Sequence, residues 1–439
     1  MILSREQEKV YELWKQRENI FISGPGGCGK TALIQYIYHR HSFEKKINVC
    51  AMTGCAAVLL DCQAVTIHSW SGIRYGNDDP SIILSRIKKS YPLKKRWKEI
   101  ECLIIDEISM MSIKILELLD YIAKNIRRNQ KPFGGIQVLF SGDFYQLPPI
   151  EDTNSFCFES PLWKELFKKE NQIELKTIFR QSDIKFKEIL NGVRKGILSK
   201  EHEKILKQYL IRKPMENIIP TKLYPMRFKC DTMNNELYNT IDKKEYSFSL
   251  LKRRNEVKYI DSNIDIPDSK QRECFSLSDR EIEKVMNDLI SLYQIPKELN
   301  LKEGTIIMTT SNIDIENGIC NGSQGIITDI NNNFIKVKFF NGVEKMVEKK
   351  IYQSEEYPTI TVSQFPLCYA WAMTIHKIQG TTLDCAEIDI GRHVFTYGQS
   401  YVALSRLKSL DGLYLKQFSK ENIQVHPKVS SFYNEINVL

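Results

Sequence analysis

Residues 19–31 read NIFISGPGGCGKT, and from Gly24 to Thr31 they follow the spacing GxxxxGK[ST]. NIFIS (19–23) has the apolar continuity of a buried strand. TALIQYIYHR (31–40) puts Leu33, Ile34, Ile37 and Tyr38 on one face of a helix. A glycine-rich turn between such a strand and such a helix is a cradle for phosphate. Gly24, Gly26, Gly27, Cys28 and Gly29 supply a backbone whose N–H groups wrap the anion, and the start of the helix adds its positive dipole. Lys30 is then expected on the β- and γ-phosphates of a nucleotide and the Thr31 hydroxyl on Mg2+.

Outward from this turn, INVCAM (47–52), CLIID (102–106) and IQVLFSG (136–142) are further short apolar runs. They alternate with helix-period segments over residues 1–180, the pattern of a parallel α/β sheet. In open α/β sheets the carboxyl ends of the strands carry the ligands. LIIDE (103–107) reads as a Walker B strand, with Asp106 placed to hold Mg2+ and Glu107 to orient or deprotonate a water. A DE pair favours hydrolysis by water over transfer to a second substrate. In GDFYQLPP (142–149), Gln146 is a candidate for sensing the γ-phosphate and positioning that water.

The 439 residues carry a net charge of +8, with 42% hydrophobic and 26% charged residues. That composition excludes wholesale disorder, a collagen-like chain and a disulfide-stapled miniprotein, and the length suggests about three domains. No run of about 18 uncharged apolar residues occurs, so no membrane span is expected. The N-terminal MILSREQEKVYELWKQ carries charges where a signal peptide needs its apolar run. The 11 cysteines are scattered without a CxxC pair, which fits reduced thiols and an intracellular site rather than zinc or disulfides. The mild positive balance permits a nucleic-acid partner without establishing one.

Residues 304–360 change character. GTIIMTT, GSQGIITDI, NNNFIKVKFFNG and VEKMVEKKI are short β-rich runs with NG and NN turns, which suggests a small antiparallel barrel. From 366 onward helix and strand signals alternate again, as if an α/β domain resumed around an insertion. The charged, irregular segment 241–300 is little informative.

Several stretches together resemble the PIF family of superfamily-one DNA helicases, B branch. MTGCAA (52–57) and TIHSWSGI (66–73) are similar to its motif Ia region, DEISM (106–110) to motif II, and KPFGGIQVLFSGDFYQLPP (131–149) to the family signature running into motif III. FRQ (179–181) resembles motif IV, NGSQG (321–325) the entry to a small barrel, AWAMTIHKIQGTT (370–382) motif V and QSYVALSR (399–406) motif VI. The matches run in order from Gln7 to Arg406, with 241–300 matching poorly.

The resemblance implies two RecA-like domains, 1–178 and 179–303 with 361–439, ATP between them, and a Src-homology-like barrel at 304–360. A small insertion is expected near 54–85. Phosphoryl transfer needs positive charge on its transition state, and the resemblance gives that role to Arg180 and Arg406. It makes Gln7 the adenine-reading glutamine and adds Gly380 to the nucleotide site. For single-stranded DNA it points to Thr53, Gly54, His68, Ser69, Asn321, Gly322, Thr374, His376 and Lys377, where phosphate donors and stacking surfaces are needed. Trp70 is equally suited to stacking a base or filling a core. The implied activity is 5′ to 3′ unwinding of tailed or forked duplexes by a monomer on DNA, in replication, repair or recombination. A single-strand translocase and an ATP-gated DNA clamp are the alternatives. Intact Lys30, Glu107, Gln146, Arg180 and Arg406 argue against the clamp.

Overall fold

The computed structural model describes residues 3–436 except 61, 75, 150–152, 215–219, 255–276, 315, 320, 321, 355 and 356. The chain divides into two compact units, Met1–Asp231 with Ala372–Leu439, and Thr232–Trp371.

The first unit holds a six-stranded sheet of β1 (Ile20–Ser23), β2 (Ile47–Ala51), β3 (Val65–Thr66), β4 (Cys102–Asp106), β5 (Gln137–Ser141) and β6 (Gln172–Glu174). Their order is β3-β2-β4-β5-β1-β6, with every neighbouring pair parallel. The four strands expected from apolar runs are all present. The two-residue β3 and three-residue β6 are edge strands too short for a periodic signal.

Strands β1, β4 and β5 are buried at every position because helices cover both faces of the sheet. Alternate residues serve opposite cores. Ile20, Ile22, Ile104 and Leu139 join Leu33, Ile34 and Ile37 of the helix Lys30–His41. Phe21, Leu103, Ile105, Val138 and Phe140 join Leu116 and Leu119 of the helix Ile113–Arg127. Trp70 settles into that second core, 2% exposed and edge-on to Trp97 at 4.7 Å, so it fills space rather than offering a face to a base.

The same unit holds a second parallel sheet, ordered Ala372–Thr374, Thr221–Tyr224, Ala386–Ile390, Leu413–Phe418. The last helix, Pro427–Ile436, buries Val429, Phe432, Tyr433 and Ile436 in the core behind the first sheet.

In the second unit Ile306–Thr309, Gln324–Ile330, Phe334–Phe339 and Glu344–Glu348 form an antiparallel meander. Asn331 closes one hairpin by accepting from the N–H groups of Asn333 and Phe334, both at 2.9 Å. The structure departs from the expected limits of 304 and 360. Leu367–Tyr369 adds a fifth strand to this sheet by pairing with Ile306–Thr309. Ile360–Gln364 straddles the later limit and pairs with both Lys350–Gln353 and Leu251–Arg254. The strands Tyr246–Ser249 and Glu298–Leu301, from the segment read as part of a second RecA-like domain, belong to this unit and pair with each other. The sheet is observed as five strands, with Glu344–Glu348 and Leu367–Tyr369 at its edges.

Candidate nucleotide site and nucleic-acid interface

The glycine-rich turn leaves β1 between β5 and β6 and enters the helix Lys30–His41. Gly24, Gly27 and Gly29 have φ of 145°, 82° and 85°, values that only glycine adopts readily. Gly27 also lacks room for a side chain, since a Cβ there would run into the Cβ of Arg180. The Gly27 carbonyl accepts from the N–H of Phe179 at 2.8 Å and of Arg180 at 3.3 Å. Lys30 Nζ donates to the carbonyls of Gly24 (2.7 Å) and Pro25 (3.2 Å), so the ammonium lies across the mouth of the turn. Thr31 is half-buried in the first turn of the helix.

Motif VI closes on the same turn. The Gly26 N–H donates to the Tyr401 hydroxyl at 2.9 Å. A Cβ on Gly26 would lie 3.5 Å from Arg406 Nη2. Arg406 is 1% exposed and donates to the carbonyls of Val402 (2.9 Å) and Thr381 (3.3 Å) and to Ser405 Oγ (2.9 Å). Arg180 Nη1 donates to the Ser405 carbonyl at 3.0 Å. Burial, and after it the neighbouring Arg180 charge, pushes the Arg406 guanidinium down to about 9. Burial lowers Arg180 as well. The buried Arg406 and the half-buried Arg180 beside phosphate-cradling glycines form a site complementary to a polyanion.

Asp106 ends β4, and Glu107 follows in a left-handed conformation at φ 54°. A non-glycine residue there costs about 1–3 kcal/mol, strain typical of functional sites. Both carboxyls are raised above their ordinary values. Burial is the main cause for each, and for Glu107 the adjacent Asp106 charge adds to it, against the pull of Lys30 and Arg406. Among the described residues no group of three or more His, Cys, Asp or Glu is placed to hold a metal. The oxygen donors Thr31 and Asp106 suit Mg2+, which commonly takes one carboxylate together with substrate phosphates.

Gln146 is 4% exposed on the loop after β5. The residue joining it to Glu107 is Gln379, whose Nε2 donates to Glu107 Oε2 at 3.0 Å and reaches Gln146 Oε1 at 3.5 Å. Motif spacing alone assigns Gln379 no role. Its position just before Gly380 in IQGTT was the available signal. Gly380, at φ 86°, presents its α-carbon to the same carboxylate, since a Cβ there would lie 4.0 Å from Glu107 Oε1. Gln7 is 1% exposed. Its Oε1 accepts from the Ser4 N–H at 2.9 Å in a capping box, and its Nε2 donates to the Gly29 carbonyl at 3.2 Å. The side chain is thus fastened to the phosphate turn.

The DNA candidates fall at strand ends. Thr53 caps the helix Gly54–Leu59 after β2, accepting from the Ala56 N–H at 3.2 Å. His68 and Ser69 lie half-buried in the short helix that follows β3, the neighbour of β2. Thr374 ends its strand and accepts from the Lys377 N–H at 3.3 Å. His376 stacks on the exposed ring of Phe395 at 5.7 Å, and burial holds its imidazole below the ordinary value. Gly322, in the second unit, donates to the Thr309 carbonyl at 2.9 Å, and Asn321 lies outside the described residues. No helix among the described residues is long and apolar enough to cross a membrane.

A family profile described as PIF1-like helicase matches residues 2–204, and one described as DNA helicase Pif1, 2B domain, matches residues 288–330. The chain is 30% identical to the ATP-dependent DNA helicase PIF1 of Saccharomyces cerevisiae, over 98% of this chain and 61% of that protein, so it spans about three-fifths of that relative's length. The crystal structure of Pif1 helicase from Candida albicans superposes with a TM-score of 0.81 and 33% identity, covering 100% of both chains. The Bacteroides Pif1 helicase in complex with ADP-AlF3 and single-stranded DNA gives 0.69 and 26% over 99% of this chain and 97% of that one.

Proposed function

Because this chain belongs to the PIF1-like helicase family, we propose that it is an ATP-dependent DNA helicase that moves 5′ to 3′ on single-stranded DNA. On this reading it unwinds tailed or forked duplexes as a monomer, inside the cell, in DNA replication, repair or recombination. The observation that carries the reading is Gln379. It bonds the candidate base Glu107 and ends the segment on which Thr374, His376 and Lys377 are the DNA candidates.

The triphosphate of ATP lies on the glycine turn, with Lys30 across its β- and γ-phosphates. Arg180 and Arg406 bring positive charge to the transferring phosphoryl group, the main form of catalysis open to such a site. Thr31 and Asp106 would hold Mg2+, which neutralises charge on the phosphate oxygens when bound. Glu107 takes the proton of the attacking water, and burial together with the Asp106 charge raises its proton affinity, the direction that makes a carboxylate a stronger base. Gln146 orients the water. Gln7 reads the adenine.

A phosphate or base engaging Thr374, His376 or Lys377 shifts the segment carrying Gln379 and thereby the alignment of Glu107. Thr53, Gly54, His68 and Ser69 form the other grip on the strand, and Asn321 and Gly322 are the DNA candidates of the second unit. The test is strand separation of matched 5′-tailed and 3′-tailed duplexes. Unwinding of the 5′-tailed duplex alone, only with ATP, is expected. Unwinding of the 3′-tailed duplex alone reverses the polarity, and unwinding of neither removes the helicase reading.

A further inference from the structure

We propose that Tyr433, on the last helix, is a positioning residue for ATP hydrolysis that clasps the loop presenting Gln146. The proposal rests on the ATPase reading above and extends it to a helix outside every motif of the site.

Tyr433 is 2% exposed. Its hydroxyl bonds Ser23 Oγ at the end of β1, immediately before the phosphate turn, and accepts from the Phe144 N–H at 3.2 Å. It also lies 3.4 Å from Asp143 Oδ1. Its ring stacks on Tyr145 with centroids 4.5 Å apart and planes 12° from parallel. The buried Arg194 guanidinium lies over both rings, at 4.6 Å from Tyr145 and 5.5 Å from Tyr433. The same guanidinium donates to both oxygens of Asp143 at 2.9 Å and to Glu174 at 2.9 Å. Three successive residues before Gln146 are therefore held, Asp143 by Arg194, the Phe144 backbone by the Tyr433 hydroxyl, and Tyr145 by stacking. On the other side Gly398 at φ 74° packs so closely that a Cβ would run into the carbonyls of Tyr145 and Gln146.

An anchor for the last helix needs only apolar surface, and Phe432, stacked on Phe158 at 4.3 Å, already supplies it. A buried hydroxyl beside it is costly unless bonded, and here its bonds go to Ser23, just before the phosphate turn, and to Phe144, two residues before Gln146. Small displacements of a water-orienting group lower the rate without changing how tightly substrate binds. Arg194 also ends the helix Ile184–Arg194 that follows Arg180, so the clasp joins the Gln146 loop to the segment bearing an arginine of the site.

The test uses the full chain with Tyr433→Phe, which keeps the ring and removes the hydroxyl. Amide hydrogen exchange over residues 142–147, ATP turnover with single-stranded DNA, binding of a fluorescent ADP analogue and thermal unfolding are compared with the parent. Faster exchange at the Phe144 amide is expected, with kcat lowered ~10-fold while KM for ATP and ADP affinity stay within ~2-fold. Parental exchange and parental kcat in Tyr433→Phe overturn the proposal, as does a fall in kcat matched by a loss of folded protein. A parent that does not hydrolyse ATP removes the ATPase reading, while exchange at Phe144 still decides whether the clasp exists.

Discussion

The Gln379 side-chain amide donates to Glu107 Oε2 at 3.0 Å and reaches Gln146 Oε1 at 3.5 Å, so one residue of motif V touches both candidate water-handling groups. Truncating it leaves the phosphate turn intact and frees the carboxylate. Gln379→Ala is expected to lower the DNA-stimulated kcat by ~10²-fold, the scale of removing one preorganised donor, with little change in KM for ATP. Steady-state ATPase kinetics with single-stranded DNA decide it. A raised KM at unchanged kcat would mean that Gln379 serves binding instead.

Glu107 gives a prediction about pH. Burial and the Asp106 charge raise its carboxyl, so it takes up a proton at higher pH than an ordinary glutamate. The ionised form is the base, so kcat falls as pH drops through the raised value, above the ordinary ~4.3. Glu107→Gln should bind ATP and hydrolyse it slowly, with that acid limb gone. A profile of kcat from mildly acidic to mildly alkaline pH, run for both proteins, checks the claim. Near-normal turnover in Glu107→Gln excludes the assigned role.

Gly27 is constrained twice, by φ 82° and by the Arg180 side chain where its Cβ would stand. Gly27→Ala therefore has to move either the phosphate turn or Arg180. Expected is a fall in kcat/KM for ATP of at least ~10-fold, at ~1.4 kcal/mol per factor of ten. Isothermal titration with ADP separates the two routes, since displacement of Arg180 alone leaves ADP affinity near the parent's. Unchanged kcat/KM would show that this close approach is irrelevant to turnover.

Much of the candidate nucleotide site was legible because phosphate binding demands fixed residue types at fixed spacing. The turn Gly24–Thr31 and the acidic pair at the end of β4 could be read from such spacing alone. Arg180 and Arg406 required the resemblance, since a lone arginine has no local signature. Tyr433 was out of reach because its partners Ser23 and Phe144 are distant in sequence and a buried tyrosine looks like any core aromatic. The limits of the second unit were blurred for a similar reason. Leu251–Arg254 is a short, basic run that becomes a strand only by pairing with Ile360–Gln364. The resemblance associates Gln7 with the adenine, whereas its simultaneous bonds to the Ser4 N–H in a capping box and to the Gly29 carbonyl join residues 22 apart and have no local signature.

The measurement that bears most directly on the account is the ATP hydrolysis rate with and without single-stranded DNA, with Lys30→Ala as the control for the site. If the segment from Thr374 to Gly380 couples the strand to Glu107, DNA should raise kcat by well over ~10-fold, a barrier reduction above ~1.4 kcal/mol. The stimulation should weaken steeply with added salt as phosphate contacts are lost, and Lys30→Ala should abolish most turnover in both conditions. An ATPase rate indifferent to single-stranded DNA, at low salt and with Lys30 intact, would contradict it.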